Sequence, residues 1–182
     1  MTGHRELAAA LSYPEQSGAL AALKSFPGFD AIKATDLEEL YTRTFDINPV
    51  CSLETGWHLF GEDYNRGAFL VRMRGVLRQY GVEEGAELPD HLESALRVLA
   101  VMKADDASDL AREFILPAVM KMREPFAEND NPYGDVLAEV ERFLRETYGE
   151  PIEWSAPTAN TPYANAADGK TTEQCGGCSG IC

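Results

Sequence analysis

The chain has 182 residues, of which 45% are hydrophobic and 25% are charged, and this composition is ordinary for one globular domain with a sizeable core. Its net charge of −14 is unusual. Nucleic acids and anionic membrane surfaces are bound through clustered Lys and Arg, so the charge argues against both of them as partners. It favours attraction to basic partners instead.

No secretory signal or membrane span is recognisable in the sequence. The Ala/Leu run from Leu7 to Leu11 covers five residues. A signal sequence needs about 7 to 15 apolar residues and a membrane helix needs roughly 20. We therefore expect a cytoplasmic protein with no direct membrane insertion.

Apolar residues recur at spacings of three and four along most of the chain, and convincing runs of alternating β-branched residues are absent from the sequence. Ala, Leu, Glu and Arg dominate, as is typical of helices. The pattern predicts an all-α fold: a single domain of seven or eight helices. These lie at about 4–12, 15–25, 35–46, 53–60, 64–80, 90–103, 108–127 and 133–148.

Proline, glycine and acidic residues mark several helix boundaries. Pro89 and Asp90 are expected to open the sixth helix, with Asp90 as its cap and His91 either on the surface of its first turn or in contact with a partner. Gly81 and Gly149 each follow a periodic segment, at the position where a helix commonly ends with a residue in the left-handed conformation. Pro117 predicts a kink or a break within the seventh helix.

The composition changes after Gly149. Pro, Gly, Thr, Asn and Ala dominate there and apolar periodicity is lost. We predict a helical domain over 1–150 and a flexible tail over 151–182.

The tail ends in a C-x2-C-x3-C motif formed by Cys175, Cys178 and Cys182. Three thiolates can bind Zn²⁺ or another soft metal when Cys51 or a second chain supplies a fourth ligand. Structural zinc sites and iron–sulfur clusters normally take four ligands, so we favour a redox-labile tail and keep metal binding as the alternative.

The sequence offers no motif for catalysis. It contains no GxSxG motif and no glycine-rich phosphate loop. Its three histidines, His4, His58 and His91, include no pair at the i, i+4 spacing of a helical metal site. We interpret His58 as a hydrogen-bonded packing residue and Cys51 as a partly buried thiol. The residues favour a binding function over an enzymatic one.

Three ordered blocks of sequence look familiar: "LYTRTFD" (40–46), "SLETGWHLFGEDYNRGAFL" (52–70) and "ELPDHLESALRVLA" (87–100). Together they resemble the delta-subunit family of respiratory nitrate reductases, the NarJ-type members of the TorD-like group of redox-enzyme maturation chaperones. The resemblance runs from about residue 5 to residue 148. The matching residues are Tyr41, Phe45, Asp46, Ser52, Leu53, His58, Phe60, Gly61, Arg66, Gly67, Leu88, Pro89, Asp90, His91 and Leu92.

The chain departs from the family pattern in two places. Relatives often carry an aromatic–leucine pair where Glu54 and Thr55 stand here, and the Cys-rich tail is not part of the pattern. These departures leave open which molybdenum enzyme is served.

The resemblance implies an all-helical cytoplasmic chaperone that is not an enzyme and carries no cofactor of its own. Such chaperones bind the catalytic subunit of a molybdenum enzyme, commonly through its N-terminal peptide, until the molybdenum cofactor has been inserted and the subunits assemble. The implied client is a nitrate reductase or another enzyme of the dimethyl sulfoxide reductase type. We expect the partner-binding residues to be Tyr41, Asp46, Trp57, His58, Arg66, Asp90 and His91.

The residues themselves support a peptide-binding surface. Aromatic-rich helices in an acidic chain can form an apolar groove with a negative rim, which suits an amphipathic leader peptide that carries Arg or Lys. Arg66 stands in the first turn of its helix, where a positive charge is unfavourable, so we expect it to have Asp46 or Asp90 as a partner. Two other classes remain open: a small metal- or iron–sulfur-binding redox protein that uses the C-terminal cysteines, and a structural subunit of a stable complex.

Overall fold

The computed structural model describes residues 3–47, 50–128 and 130–153. This part of the chain is helical and contains no β-strand; a single isolated antiparallel bridge joins Glu54 and His91. The predicted all-α single-domain fold is confirmed. The α-helices within the described ranges are α1 His4–Ala10, α2 Ala19–Leu23, α3 Ala34–Tyr41, α4 Thr55–Phe60, α5 Tyr64–Gln79, α6 Leu92–Leu99, α7 Ala104–Leu110, α8 Leu116–Arg123 and α9 Tyr133–Tyr148.

Two of these helices continue into wider π-helical turns. The first turn, Thr42–Asp46, extends α3, and the second, Ala111–Ile115, joins α7 to α8. The second turn ends just before Pro117, which has no N–H to donate and whose ring would clash with a regular α-helical carbonyl. The irregularity predicted at Pro117 is therefore present as a π-helical turn. A short 3₁₀ turn, Glu124–Phe126, follows α8.

The core is formed where α1 packs against α2 and α6, α4 against α5 and α8, and α8 against α9. An aromatic cluster lies within it: the ring of Tyr133 meets Phe45 at 4.8 Å and Phe29 at 5.1 Å between centroids, both edge-on. Edge-on contacts of this kind add to the free energy gained by burying the rings. None of the described helices is both long and apolar enough to cross a membrane.

Most helix boundaries follow the sequence signals. The chain is left-handed at Gly81 (φ +68°) and at Gly149 (φ +93°), as predicted for helix ends. α2 is shorter than predicted because Gly18 (φ +90°) precedes it and separates it from residues 14–17. α6 begins at Leu92 rather than at residue 90, for a reason given with the site below.

Residues 150–153 fold back onto the helical body. Arg112 Nε donates to the Glu150 carbonyl at 2.8 Å, and the Ile152 N–H donates to the Arg112 carbonyl at 3.1 Å. The first residues of the predicted tail are therefore tied to the domain. The rest of that tail, from residue 154 and including Cys175, Cys178 and Cys182, lies outside the described residues.

We expect truncation after Ser155 to leave the melting temperature within a few degrees of that of the full chain. Truncation after Tyr148 should lower it by about 4 to 8 °C. The shorter chain loses two backbone anchors, each worth about 1 kcal/mol, and 1 kcal/mol shifts the melting temperature of a domain this size by about 2 to 4 °C. Circular dichroism melts of the three chains check this. A large loss of helicity after the Ser155 truncation would show that the predicted domain boundary is wrong.

Candidate partner-binding site

Asp90 ties the loop before α6 to the start of α4. It is fully buried. Its carboxylate Oδ2 accepts a hydrogen bond from the Gly56 N–H at 2.8 Å, and its carbonyl accepts from the Thr55 N–H at 3.0 Å and from Thr55 Oγ1 at 2.8 Å. Gly56 belongs to the first turn of α4, where backbone N–H groups have no partner within the helix. Asp90 therefore accepts the hydrogen bonds that the first-turn N–H groups of α4 would otherwise lack. The prediction that Asp90 caps the sixth helix is wrong.

The N-cap of α6 is His91. Its Nδ1 accepts from the Glu93 N–H at 3.3 Å, and its side chain is only 5% exposed. Burial lowers the pKa of His91 to about 4, so the ring is neutral at physiological pH and free to accept. The expectation of a surface position for His91 is therefore wrong. The His91 N–H donates to the Leu88 carbonyl at 3.0 Å, which closes the turn that follows Glu87 and Leu88.

Arg66, in the first turn of α5, lies between an exposed tryptophan and two carboxylates. Its guanidinium carbon is 5.2 Å from the ring centroid of Trp57, within the range of a cation–π contact. Its Nε is buried and has no hydrogen-bond partner. The positive charge of Arg66 lowers the pKa of both Asp90 and Glu54, against a larger upward effect of burial on each. The charge of Arg66 therefore acts on Asp90, one of its two predicted partners, and on Glu54, which was not predicted, but Arg66 Nε and Asp90 Oδ1 each have no hydrogen-bond partner among the described residues.

Gly56 lies where these elements meet. A Cβ atom built on Gly56 would stand 2.8 Å from Asp90 Oδ2 and 2.9 Å from Phe69 Cδ1, closer than such atoms approach in proteins. The close approach of α4 to Asp90 and α5 therefore requires glycine at this position.

We call the place where α4, α5 and Asp90 meet the junction. An acidic surface adjoins the junction. We call Asp46, Glu87 and Glu93, together with the exposed side chains of Ile47 and Leu88, the acidic face. Ile47 is 66% exposed and Leu88 is 41% exposed. The pKa of Glu87 is raised by partial burial and then by the charges of Asp46 and Glu93, which places the three carboxylates within electrostatic reach of one another. Glu54 interacts electrostatically with both Asp90 and Glu87: burial, followed by the charges of these two residues, raises the pKa of Glu54.

The acidic face opens into a shallow surface depression of about 460 Å³ beside Ile47. Its other lining residues come mainly from α3 and the π-helical turn that follows it. They are Tyr13, Thr35, Glu38, Glu39, Thr42 and Arg43. The depression brings the carboxylates of Glu38 and Glu39 and the guanidinium of Arg43 next to Ile47, so this part of the surface carries both charged and apolar groups.

The seven predicted partner-binding residues differ widely in exposure. Asp46 and Trp57 are exposed, His58 and Arg66 are half-buried, and Tyr41, Asp90 and His91 are buried. Tyr41 Oη donates to the Leu11 carbonyl at 3.2 Å, and its ring packs against Phe45 and Tyr133. Tyr41 therefore supports the acidic face from within the core, where burial and then the charges of Asp46 and Glu87 raise its pKa.

His58 and Cys51 are packing residues. His58 Nε2 lies 2.7 Å from the Ser52 carbonyl, which confirms its interpretation as a hydrogen-bonded residue. Cys51 is 4% exposed, and burial, followed by the charge of Glu54, raises its pKa to about 12. The thiol is thus neutral at physiological pH and is not activated by His58, although Sγ and Nε2 are 3.8 Å apart. Among the described residues no group of three His, Cys, Asp or Glu side chains could hold a metal ion.

Several residues of the site were not predicted from the sequence. Glu54 was noted only as a departure from the family pattern, and Gly56, Glu87, Ile47 and Leu88 drew no attention as site residues. Glu87 and Leu88 are the first two residues of the recognised block 87–100, and Leu88 matches the family pattern, so the block itself was the available signal. The convergence of Asp46 with Glu87 depends on tertiary packing between segments 41 residues apart in the sequence.

Comparison with known proteins identifies the family. Residues 7–139 match the family model described as "Nitrate reductase delta subunit", and the chain belongs to this family. Two curated relatives, from Escherichia coli K12 and Escherichia coli O157:H7, are each named "Nitrate reductase molybdenum cofactor assembly chaperone NarJ". Each is 28% identical to this chain over 128 residues, which is 60% of this chain and 54% of the relative. The chain therefore spans about half the length of the curated relatives it matches.

Proposed function

We propose that this protein is a maturation chaperone for the catalytic subunit of a molybdenum enzyme of the nitrate reductase type. It binds that subunit through its N-terminal peptide and supports molybdenum cofactor insertion and complex assembly in the cytoplasm. It has no catalytic activity and no cofactor of its own. The observation that carries this proposal is the family match over residues 7–139, together with two relatives named for molybdenum cofactor assembly.

The acidic face is the surface we propose for the peptide. Ile47 and Leu88 can receive the apolar side of an amphipathic leader, and the carboxylates of Asp46, Glu87 and Glu93 can meet its Lys or Arg side chains. These carboxylates repel one another, which contributes to the raised pKa of Glu87. A cationic peptide would relieve that repulsion, so its binding is favoured electrostatically.

The client itself is tested by a pull-down. Tagged protein is used to capture partners from the native cytoplasm, and the bound proteins are identified by mass spectrometry. We expect the catalytic subunit of a molybdenum enzyme, recovered without its full complement of partner subunits. Recovery of only the complete, active complex in stoichiometric amounts would instead define a structural subunit, and absence of any molybdenum enzyme would refute the proposal.

Binding kinetics of the client's N-terminal peptide test the surface. Raising the salt concentration from about 50 to 500 mM shortens the Debye length from roughly 14 to 4 Å, so association should slow several-fold while dissociation changes little. Glu87→Gln should likewise slow association, whereas Leu88→Ala should speed dissociation. Asp109→Asn removes an exposed acid on α7 and serves as the matched control. An on-rate that ignores salt, or a silent Leu88→Ala, would show that the acidic face is only a solvated surface.

A further inference from the structure

An exposed tryptophan on α4 is covered in part by a cation from the chain itself. Trp57 is 40% exposed, and the guanidinium carbon of Arg66 lies 5.2 Å from the centroid of its ring. Among the aromatic side chains tryptophan attracts a cation most strongly, and arginine is the cation found there more often than lysine. The surface of Trp57 therefore suits a guanidinium group, and in the free protein Arg66 supplies that group.

Arg66 is incompletely satisfied in this position. Its Nε is buried, and so is Oδ1 of the fully buried Asp90; neither atom has a hydrogen-bond partner in the part of the chain that the structure describes. A buried donor or acceptor without a partner is destabilising, and more so when the group is charged. A hydrogen bond from Arg66 Nε to Asp90 Oδ1 would satisfy both atoms at once.

Arg66 and Asp90 are close enough for that pairing. A Cβ atom built on Gly56 would stand 3.5 Å from Arg66 Cγ and 2.8 Å from Asp90 Oδ2, so the arginine stem and the carboxylate flank the same point of α4. Burial raises the pKa of Asp90, and the charge of Arg66 opposes this shift. Rotation about the side-chain bonds of Arg66 can therefore turn its guanidinium from Trp57 toward Asp90.

Two interactions hold Arg66 in its outer position in the free protein. The side chain is half-buried, so part of the guanidinium keeps its hydration, and the group also stacks on Trp57. Turning inward would exchange both interactions for a buried ion pair, whose attraction is largely offset by the loss of hydration. The two positions of Arg66 are therefore close in free energy, and a ligand that covers Trp57 can decide between them.

Trp57 adjoins the acidic face through Glu54. Glu54 immediately precedes α4, and Trp57 stands three residues later, a spacing that places side chains next to each other on a helix. Burial and the charge of Asp90 raise the pKa of Glu54, whereas the charge of Arg66 lowers it. A guanidinium over Trp57 thus has a carboxylate within electrostatic reach, and a peptide that extends from the acidic face past Glu54 reaches Trp57 within one turn of α4.

We propose that Trp57 is a subsite for an arginine side chain of the client peptide, and that this arginine displaces Arg66, which turns inward to pair with Asp90. The incoming guanidinium takes the place of Arg66 over the ring and shuts water out of the outer position. The inward pair then ties α5 to the loop before α6. This inference rests on the proposed peptide-binding function and adds a preference for arginine over lysine, because a planar guanidinium stacks on an aromatic face.

The preference for arginine tests the subsite. The probe is a synthetic amphipathic helical peptide with leucine on one face and arginine on the other, compared with the same sequence carrying lysine. We expect the full wild-type chain to bind the arginine peptide about fivefold more tightly, and Trp57→Leu to bind the two peptides equally. Trp57→Phe should keep part of the preference. Glu87→Gln, the matched control on the acidic face, should weaken both peptides and leave their ratio unchanged.

The outcomes distinguish failure of the subsite from failure of the proposed function. Equal binding of the two peptides by wild type, or a preference that persists in Trp57→Leu, would overturn the subsite and leave the acidic face as the peptide surface. Failure of both peptides to bind would overturn the subsite and the peptide surface together, whereas the chaperone function is judged by the pull-down. Circular dichroism melts verify that each variant is folded.

Nitrogen NMR of the isotope-labelled protein follows Arg66 itself. The Nε–H signal of Arg66 is assigned by its absence from Arg66→Lys. Saturation with the unlabelled arginine peptide should move this signal and slow its exchange with water, since Nε–H gains the Asp90 carboxylate as acceptor. In Trp57→Leu the signal should move part of the way before any peptide is added. An Arg66 signal that stays unchanged when the arginine peptide saturates wild type would overturn the displacement.

Discussion

Gly56→Ala is expected to lower the free energy of unfolding by about 3 kcal/mol. The new methyl group would overlap Asp90 Oδ2 at 2.8 Å and Phe69 Cδ1 at 2.9 Å, and both of those residues are buried. Overpacking of this kind costs about 1 to 3 kcal/mol, and a shift of Asp90 would also weaken its charged hydrogen bond to the Gly56 N–H, which is worth about 1.5 to 3 kcal/mol. The higher helix propensity of alanine returns at most about 1 kcal/mol, so destabilisation prevails.

Urea denaturation at neutral pH checks this expectation, with Gly75→Ala as the matched control. Gly75 lies inside α5, and a methyl group there meets nothing within 4 Å, so the control should be more stable than wild type by up to about 1 kcal/mol. The two Gly→Ala changes are expected to shift the free energy of unfolding in opposite directions. The comparison therefore separates the effect of a steric clash from the effect of helix propensity. If Gly56→Ala is as stable as wild type, α4 can move away from Asp90 freely and the junction does not fix the acidic face.

The boundaries of long helices that end at a glycine or begin near a proline or a capping residue could be predicted from the sequence almost to the residue. α9 was predicted at 133–148 and observed at Tyr133–Tyr148, and α5 was predicted at 64–80 and observed at Tyr64–Gln79. Both have an amphipathic repeat of four turns and a glycine just past the last turn or one residue later. Their boundaries therefore depend on local interactions that the sequence displays.

The site could be predicted only in part, because its hydrogen bonds and contacts join residues that are far apart in the sequence. Asp is a preferred N-cap residue, so the sequence favoured Asp90 over His91 as the cap of α6, whereas the structure has His91 in this position. The deciding interaction is the pair of hydrogen bonds between Asp90 and Thr55, 35 residues earlier, which commits Asp90 to α4. The same tertiary contact buries His91 and brings Glu87 and Leu88 to the surface beside Asp46.

The largest expected pH effect on stability comes from His91. Its pKa is lowered by burial to about 4 in the folded chain, whereas an unfolded histidine has a pKa of about 6.5. Between these two values the unfolded state binds more protons than the folded state, so acid favours unfolding. The stabilising contribution of neutral His91 is therefore fully present above pH 6.5 and is lost as the pH falls toward 4. At pH 5 the expected loss is about 2 kcal/mol.

His91→Asn isolates this effect, because an asparagine oxygen can still cap α6 but does not titrate. The variant should be less stable than wild type at pH 7, where the smaller side chain leaves a cavity, and the difference should shrink by about 2 kcal/mol at pH 5. The carboxylates Asp90, Glu54 and Glu87 have raised pKa values, so their protonation favours the folded state and acts in the opposite direction. Since they are present in both proteins, their contribution cancels in the difference between the two urea denaturation curves. A stability difference that stays constant from pH 7 to pH 5 would show that His91 titrates normally in the folded chain, and that the cap of α6 is open to water.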